Sequence, residues 1–257
     1  MRIDLSGRTA LVTGSTAGIG EATARALADA GADVVVNGRG ADRVAETAQR
    51  IGGRGIAADV GTAEGTADLI RQLPDVDILV NNTGIFETKP VFDIPDEDWL
   101  RLFEVNVLSG VRLARHYAPR MVGRGWGRVI FVSSEAGVQT PPDMVHYGMT
   151  KTAQLAVSRG MAQEVAGTGV TVNCVLPGPT MSDGVLAMFD ELYPGLDPGE
   201  QERCYLAENR AAASLLKRLI RPHEVASMIT YVAGEQASAT TGRALGADGG
   251  LLPTIIP

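Results

Sequence analysis

The chain is poor in the residues from which metal sites, disulfide frameworks and nucleic-acid surfaces are built. Two cysteines, Cys174 and Cys204, occur in 257 residues, and they show no metal-ligand spacing. Cys174 falls in an apolar, strand-like run and reads as a buried thiol, not half of a disulfide. The three histidines, His116, His146 and His223, are scattered and form no cluster suited to a metal. Acidic residues outnumber basic ones by 30 to 23, giving a net charge of −7, and no basic run appears. That balance argues against nucleic acid or an anionic membrane as the main partner. No apolar stretch is long enough to span a bilayer, and the polar residues 1–8 have no signal-peptide character. The expectation is a soluble protein of a reducing, cytoplasmic compartment. Internal repeats, low-complexity segments and Pro/Ser-rich linkers are also missing. One domain over residues 1–257 is the simpler reading, although the length alone admits two small ones.

What the chain has instead is an alternation. Short apolar runs at 9–13, 34–36, 55–58 and 76–80 are separated by helix-forming segments at 21–30, 41–51 and 62–73. A long helical pattern begins at Asp96, with Trp99, Leu102, Phe103 and Val107 at core spacing. The acids Asp96, Glu97 and Asp98 suit its N-terminus. Further apolar runs at 128–132, 170–175 and 243–245 accompany helical patterns at 146–166 and 223–233. Short buried strands alternating with amphipathic helices imply an α/β fold, a Rossmann-type doubly wound parallel sheet of about seven strands with helices on both faces. Residues 181–216 break the alternation. They are punctuated by proline and glycine, and they carry Leu186, Met188, Phe189, Leu192 and Tyr193.

Two stretches carry chemistry. Gly14, Gly18 and Gly20 sit between the first strand and the first helix, where the backbone must turn tightly and let a pyrophosphate approach the helix N–H groups. Farther on, Tyr147 and Lys151 stand four residues apart, on one face of a helix. A free phenol titrates near pH 10 and transfers protons poorly at neutrality. An ammonium at about 4 Å, in an effective dielectric near 20, favours the phenolate by roughly 4 kcal/mol. Each pKa unit is worth about 1.4 kcal/mol, so such a pair can act in acid–base chemistry.

These stretches occur with others in a fixed order: Thr13-Gly14-Ser15-Thr16-Ala17-Gly18-Ile19-Gly20, Asn81-Asn82-Thr83-Gly84, Ser133-Ser134, His146-Tyr147-Gly148-Met149-Thr150-Lys151 and Pro177-Gly178. Over nearly its whole length the chain resembles the short-chain dehydrogenase/reductase family in its compact single-domain form. The resemblance implies an oxidoreductase that passes hydride between a nicotinamide cofactor and an alcohol or carbonyl compound. It implies that Tyr147 is the proton donor and acceptor, and that Lys151 holds the nicotinamide ribose and lowers the pKa of Tyr147. Ser134, thirteen residues ahead of Tyr147, would bond the substrate oxygen. Asn106 would keep a water within reach of the lysine, its alternative being a polar residue at a bend.

For the cofactor, the resemblance implicates Gly14, Ser15, Thr16, Gly18, Ile19 and Gly20 in the first turn. Asp59 would meet the adenine amino group with Val60 packed beside the ring, unless Asp59 is a helix cap. Asn82, Thr83 and Gly84 match the family's Asn-Asn-Ala-Gly, with Thr83 in place of alanine; an added hydroxyl there needs a partner. Pro177, Gly178 and Thr180 would bracket the nicotinamide, the hydroxyl of Thr180 bonding its carboxamide. At the end of the second strand, where NAD-binding members carry an acid, this chain has Gly38 followed by Arg39. A guanidinium there suits the 2′-phosphate of NADP, which is preferred over NAD. His146 and Glu135 read as structural neighbours of the site.

Residues 181–216 fall where the family places its substrate lid, and their apolar side chains favour a small, neutral, moderately apolar substrate. The same side chains would serve equally as core for two short helices. The helices around 96–124 and 146–166 resemble those through which family members pair, so a homotetramer (or homodimer) is expected, with the apolar tail 251–257 as a further contact. The competing reading is a nicotinamide-nucleotide sensor or scaffold without turnover; a proton relay of Asn106, Ser134, Tyr147 and Lys151 is superfluous for a binder. A dehydratase or epimerase on the same fold is a third reading.

Overall fold

Seven of the apolar runs become the seven strands of one parallel sheet in the computed structural model, which describes residues 3–208 and 210–254. The strands are β1 (Thr9–Val12), β2 (Asp33–Gly38), β3 (Arg54–Ala57), β4 (Ile78–Asn81), β5 (Gly127–Val132), β6 (Val170–Pro177) and β7 (Ala244–Ala247). Their spatial order is β3-β2-β1-β4-β5-β6-β7. The order reverses between β1 and β4, which pair through Ala10↔Ile78, Leu11↔Leu79 and Val12↔Val80. Two crossovers leave in opposite directions there and open a crevice at the strands' C-terminal ends.

The strand residues are apolar on both faces because both faces are covered. Leu11, Val35, Leu79, Val129 and Phe131 point into one core, closed by α3 (Ala63–Gln72), α5 (Ser109–Arg124) and α6 (Val145–Glu164). Their neighbours Ala10, Val12, Val34, Val36, Ile78, Val80 and Ile130 point into the other, under α1 (Gly18–Asp29), α2 (Ala41–Ile51) and α9 (Pro222–Ala233). The period of two in a strand thus feeds two cores from one uninterrupted apolar run.

Two expectations change. The long helix is three segments: α4 (Asp96–Phe103), a π turn over Glu104–Leu108, and α5. Residues 181–216 are not irregular, because they contain α7 (Asp183–Leu192) and α8 (Pro198–Glu208). Val185, Met188 and Phe189 recur at helical spacing, and they turn inward with Met181, Tyr193 and Tyr205 around buried Ala211 and Leu219. Leu186 and Leu192 face outward. Of the C-terminal tail, Leu251 is buried against its own chain, and residues 255–257 lie outside the described residues. Among the described residues no helix is long and apolar enough to cross a membrane.

Candidate active site

The crevice at the sheet's switch point is built first from backbone. Gly14 and Gly18 adopt φ of +60° and +56°, a region that favours glycine. At Gly20 a Cβ would lie 2.3 Å from the carbonyl oxygen of Gly14, so helix α1 can start this close to the turn only without a side chain. The N-cap residue of α1 is Ala17, which offers no side-chain cap to the first N–H groups. An uncapped N-terminus of a twelve-residue helix facing a glycine turn is suited to an anion such as a pyrophosphate.

Several side chains expected at a cofactor are committed to this turn instead. The Ser15 hydroxyl is fully buried, donates to Val12 O at 2.7 Å and accepts from Asn37 N at 3.0 Å, tying the turn to β2. Asn82 Nδ2 donates to Thr13 O (2.9 Å) and Gly14 O (3.1 Å), while Thr13 Oγ1 accepts from the main-chain N–H groups of Asn82 and Thr83. Ser15 and Asn82 therefore shape the cradle, and a cofactor would meet main chain there. Ile19 packs into the core under α1. Val60, expected beside an adenine, is 2 % exposed, and the turn between β3 and α3 places its side chain in the α3/α5 core. Asp59 is exposed; its Oδ1 accepts from Gly61 N at 3.0 Å, and the cap of α3 is Thr62, which accepts from Gly65 N.

Other positions fit a dinucleotide. Thr83 Oγ1 is buried and has no hydrogen-bond partner among the described residues, the partner that its replacement of alanine called for. Arg39 is exposed at the end of β2. A Cβ at Gly38 would come within 2.8 Å of Thr16 Cγ2, so an acid at 38 would have to displace the Thr16 side chain. Thr180 donates its hydroxyl proton to Gly178 O at 2.8 Å and keeps acceptor capacity for an amide N–H. Pro177 ends β6, and Gly178 closes on Asp248, where a Cβ would meet Asp248 Cα at 2.9 Å.

The catalytic candidates converge beside this cradle. Helix α6 presents Tyr147 half-buried and Lys151 4 % exposed. Lys151 Nζ lies 5.5 Å from the centroid of the Tyr147 ring and donates to Val132 O at 3.0 Å. Burial lowers the pKa of Lys151 to about 8, against the upward pull of Cys174 and Glu135. The ammonium is thus less secure than a surface lysine's, though it persists at neutrality. Gly84 is close by: a Cβ there would lie 3.4 Å from Lys151 Nζ and 3.5 Å from Asn106 Oδ1. Asn106 sits in the π turn, a feature common at functional sites. Its side chain accepts from Ile85 N (2.8 Å) and donates to Ile85 O (2.9 Å) and Thr150 Oγ1 (3.0 Å), which clamps the loop after β4 to α6.

The segment after β5 is pressed onto α6. A Cβ on Gly137 would meet Lys151 backbone at 2.8 Å, and Ser133 Oγ donates to Lys151 O at 2.8 Å. Ser133 is therefore the docking serine. Ser134 Oγ accepts from Ala136 N and donates to the carboxylate of Glu135, itself 3 % exposed. Two residues outside the expected site thus touch it. Glu135 holds the hydroxyl of Ser134, and Gln154 contacts both Lys151 and Asn106. For Gln154 the sequence signal was its place three residues after Lys151, on the same helix face. His146 is fully buried, edge-on to Trp99 at 5.9 Å, with Nε2 3.0 Å from Glu87.

This geometry has counterparts among known proteins. A family model described as short chain dehydrogenase matches residues 8–191. An uncharacterized oxidoreductase of Bacillus subtilis, YvaG, is 47 % identical over 264 residues, spanning 99 % of this chain and all of that protein. A D-beta-hydroxybutyrate dehydrogenase of Rhizobium meliloti is 34 % identical over 95 % of this chain and 98 % of its own. Among solved structures, L-sorbose reductase from Gluconobacter frateurii, complexed with NADPH and L-sorbose, superposes with a TM-score of 0.91 at 33 % identity, covering 99 % of this chain and 100 % of that one.

Proposed function

The chain is an oxidoreductase of the short-chain dehydrogenase family, and on that premise we propose that it moves hydride between NADP(H) and a small alcohol or carbonyl compound, with Tyr147 as general acid and base. The observation that carries the reading is the buried Lys151 ammonium 5.5 Å from the Tyr147 ring, at the lip of a glycine-built crevice. When bound, the nicotinamide supplies or accepts the hydride. The protein's own residues do the rest. Tyr147 gives its proton to the substrate oxygen in reduction and takes one back in oxidation. Lys151 favours the phenolate by its charge. Ser134 has one hydroxyl proton, engaged by Glu135, and turns it toward the substrate oxygen as negative charge develops there. Asn106 holds the β4 loop and α6 in register, so that these groups face one crevice.

NADP is favoured over NAD by Arg39 and by the Thr16 side chain, which an acid at 38 would have to displace. The NADPH held by L-sorbose reductase agrees with that preference. For the substrate, the apolar residues of α7 and α8 have lost their weight as pocket lining, since most of them form their own small core. Phe86 takes their place: it is 70 % exposed, and its ring meets that of Tyr147 edge-on at 6.1 Å. It supplies an apolar wall beside the reacting oxygen and suits a neutral, partly apolar substrate.

We read residues 1–257 as one domain, with α7 and α8 as its lid. The exposed Phe92 and Leu100 beside and on α4 support a homotetramer or homodimer, and the free Cys174 and Cys204 suit a cytoplasmic setting. Unchanged hydrogen exchange in α7 and α8 on adding NADPH, or a monomer by light scattering at micromolar concentration, would count against the lid and the assembly respectively. The main test is a panel of ketones and secondary alcohols followed at the reduced-nicotinamide absorbance, with NADP and NAD in parallel. Tyr147→Phe is expected to bind NADPH normally and to lose turnover roughly 10³-fold or more. Turnover retained by that variant removes the mechanism.

A further inference from the structure

Gln154 is 1 % exposed, on the face of α6 that carries Lys151. A buried primary amide has two donors and an acceptor to satisfy. Here Nε2 donates to the main-chain carbonyl of Asn106 at 2.6 Å, and Oε1 faces Lys151 Nζ at 3.4 Å. The amide orientation is fixed by these neighbours. Flipped, it would set oxygen against the Asn106 carbonyl and N–H groups against the ammonium. One neutral side chain therefore joins the π turn to the cation beside Tyr147.

We propose that Gln154 is a positioning residue of the proton-transfer machinery, whose amide bridges the Asn106 main chain to the Lys151 ammonium and holds that charge beside Tyr147. The inference rests on the reading of Tyr147 and Lys151 as the acid–base pair. Its physical content is a dipole. An oxygen aimed at a buried cation favours the charged form, and with Val132 O it offsets the loss of water around Nζ. The titratable groups bearing on Lys151 are Glu135 after β5, Cys174 on β6 and Tyr147 on α6, and none of them changes when Gln154 is replaced. Without the amide oxygen, Lys151 loses its proton at lower pH, and less of the protein carries the ammonium that Tyr147 needs.

The chain contains three lysines, Lys89, Lys151 and Lys217, so Lys151 can be titrated directly. The full-length protein, labelled with ¹³C-lysine, is followed by NMR from pH 6 to 11 with and without saturating NADPH. Loss of one signal in Lys151→Met gives the assignment. In Gln154→Leu the Lys151 midpoint is expected to fall by about half a pH unit or more, as removal of one charge–dipole contact of roughly 0.7 kcal/mol requires. Gln154→Asn, too short to span both partners, is expected to fall in the same direction and serves if the leucine variant does not fold. Gln154→Glu keeps an oxygen toward Nζ in either protonation state and restores the midpoint to the wild-type value or above. A midpoint unmoved in the folded leucine or asparagine variant overturns the proposal, and so does a glutamate variant that falls with them. Because the readout needs no substrate, these outcomes stand apart from the Tyr147→Phe result, which tests the function itself.

Discussion

Around Gly14–Gly20 the polar side chains are spent on the protein's own backbone, whereas around Ser134–Lys151 the bonds to backbone are joined by side chains that hold one another. In the first region Thr13, Ser15 and Asn82 bond main-chain atoms and leave a surface of amides and glycine Cα atoms. In the second, Glu135 holds Ser134 and Gln154 holds Lys151, each partner nearly inaccessible to solvent. A cradle for a phosphate needs close approach, which side chains obstruct. A proton-transfer site needs charge in a fixed place, which only side chains supply. The two regions should therefore fail in opposite ways: the cradle when an atom is added, the catalytic corner when a functional group is removed.

The largest effect is expected at Lys151. Lys151→Met should lower turnover by roughly 10³-fold and yet make the fold more stable at pH 7. Its folded-state pKa of about 8 lies below the 10.5 of a free lysine, so the unfolded chain binds more protons between those values. Wild-type stability then rises with pH through that window. At neutrality the ionised form of the buried amine costs up to about 3 kcal/mol relative to its neutral form, a cost that methionine does not carry. Thermal melts of both proteins should differ most at pH 7 and converge between pH 8 and 10.5. A wild-type protein that melts higher at pH 7 would break the contrast.

The cradle should show the converse. A Cβ in Gly20→Ala meets Gly14 O at 2.3 Å, Asn82 Nδ2 at 2.6 Å and Ser15 Cα at 2.9 Å, and two of these contacts are backbone. The expected cost is about 2 kcal/mol of stability, with NADPH affinity falling alongside it, as read by melting and by fluorescence titration. Unchanged affinity would mean that the cradle tolerates added bulk. Smaller still is the effect at the rim. Arg39→Asp should weaken NADPH roughly tenfold while sparing NADH, the size of one charge-assisted hydrogen bond to an exposed phosphate. Equal NADPH affinity in that variant would refute the cofactor preference. Gly38→Asp alone should not recruit NADH, because the acid would have to displace the Thr16 side chain.

Much of the fold was legible because buried parallel strands leave a plain trace. Val34, Val35 and Val36 have no polar alternative, and the helices between the runs keep their own spacing. The lid region was harder to read. Pro194, Gly195, Pro198 and Gly199 punctuate two helices so short that the pattern looks irregular, and their apolar residues find partners in each other and in Met181, Ala211 and Leu219. At the site, the glycine turn and the Tyr147/Lys151 pair were visible because one spacing serves both local structure and chemistry. Ser15, Asn82 and Val60 were assigned by motif to the cofactor, and the structure turns their side chains into the protein. Glu135 was read as a structural neighbour of the site, and Gln154 was not marked at all, since a polar residue on a helix usually faces water.

From the sequence alone came the period of the strands, the glycines that let α1 start against its turn, and the four-residue step from Tyr147 to Lys151. Each is a local property, set by backbone geometry within a few residues. Tertiary structure alone decided which hydroxyls and amides still have bonds to offer. Whether Ser15 is spent, whether Asn82 is committed to the glycine turn and whether Gln154 reaches Asn106 depend on chain segments 22, 69 and 48 residues distant that meet only when the sheet forms. Hydrogen-bonding capacity is exhausted pairwise and at short range, so the residues that can do chemistry are known only after the fold has used the others.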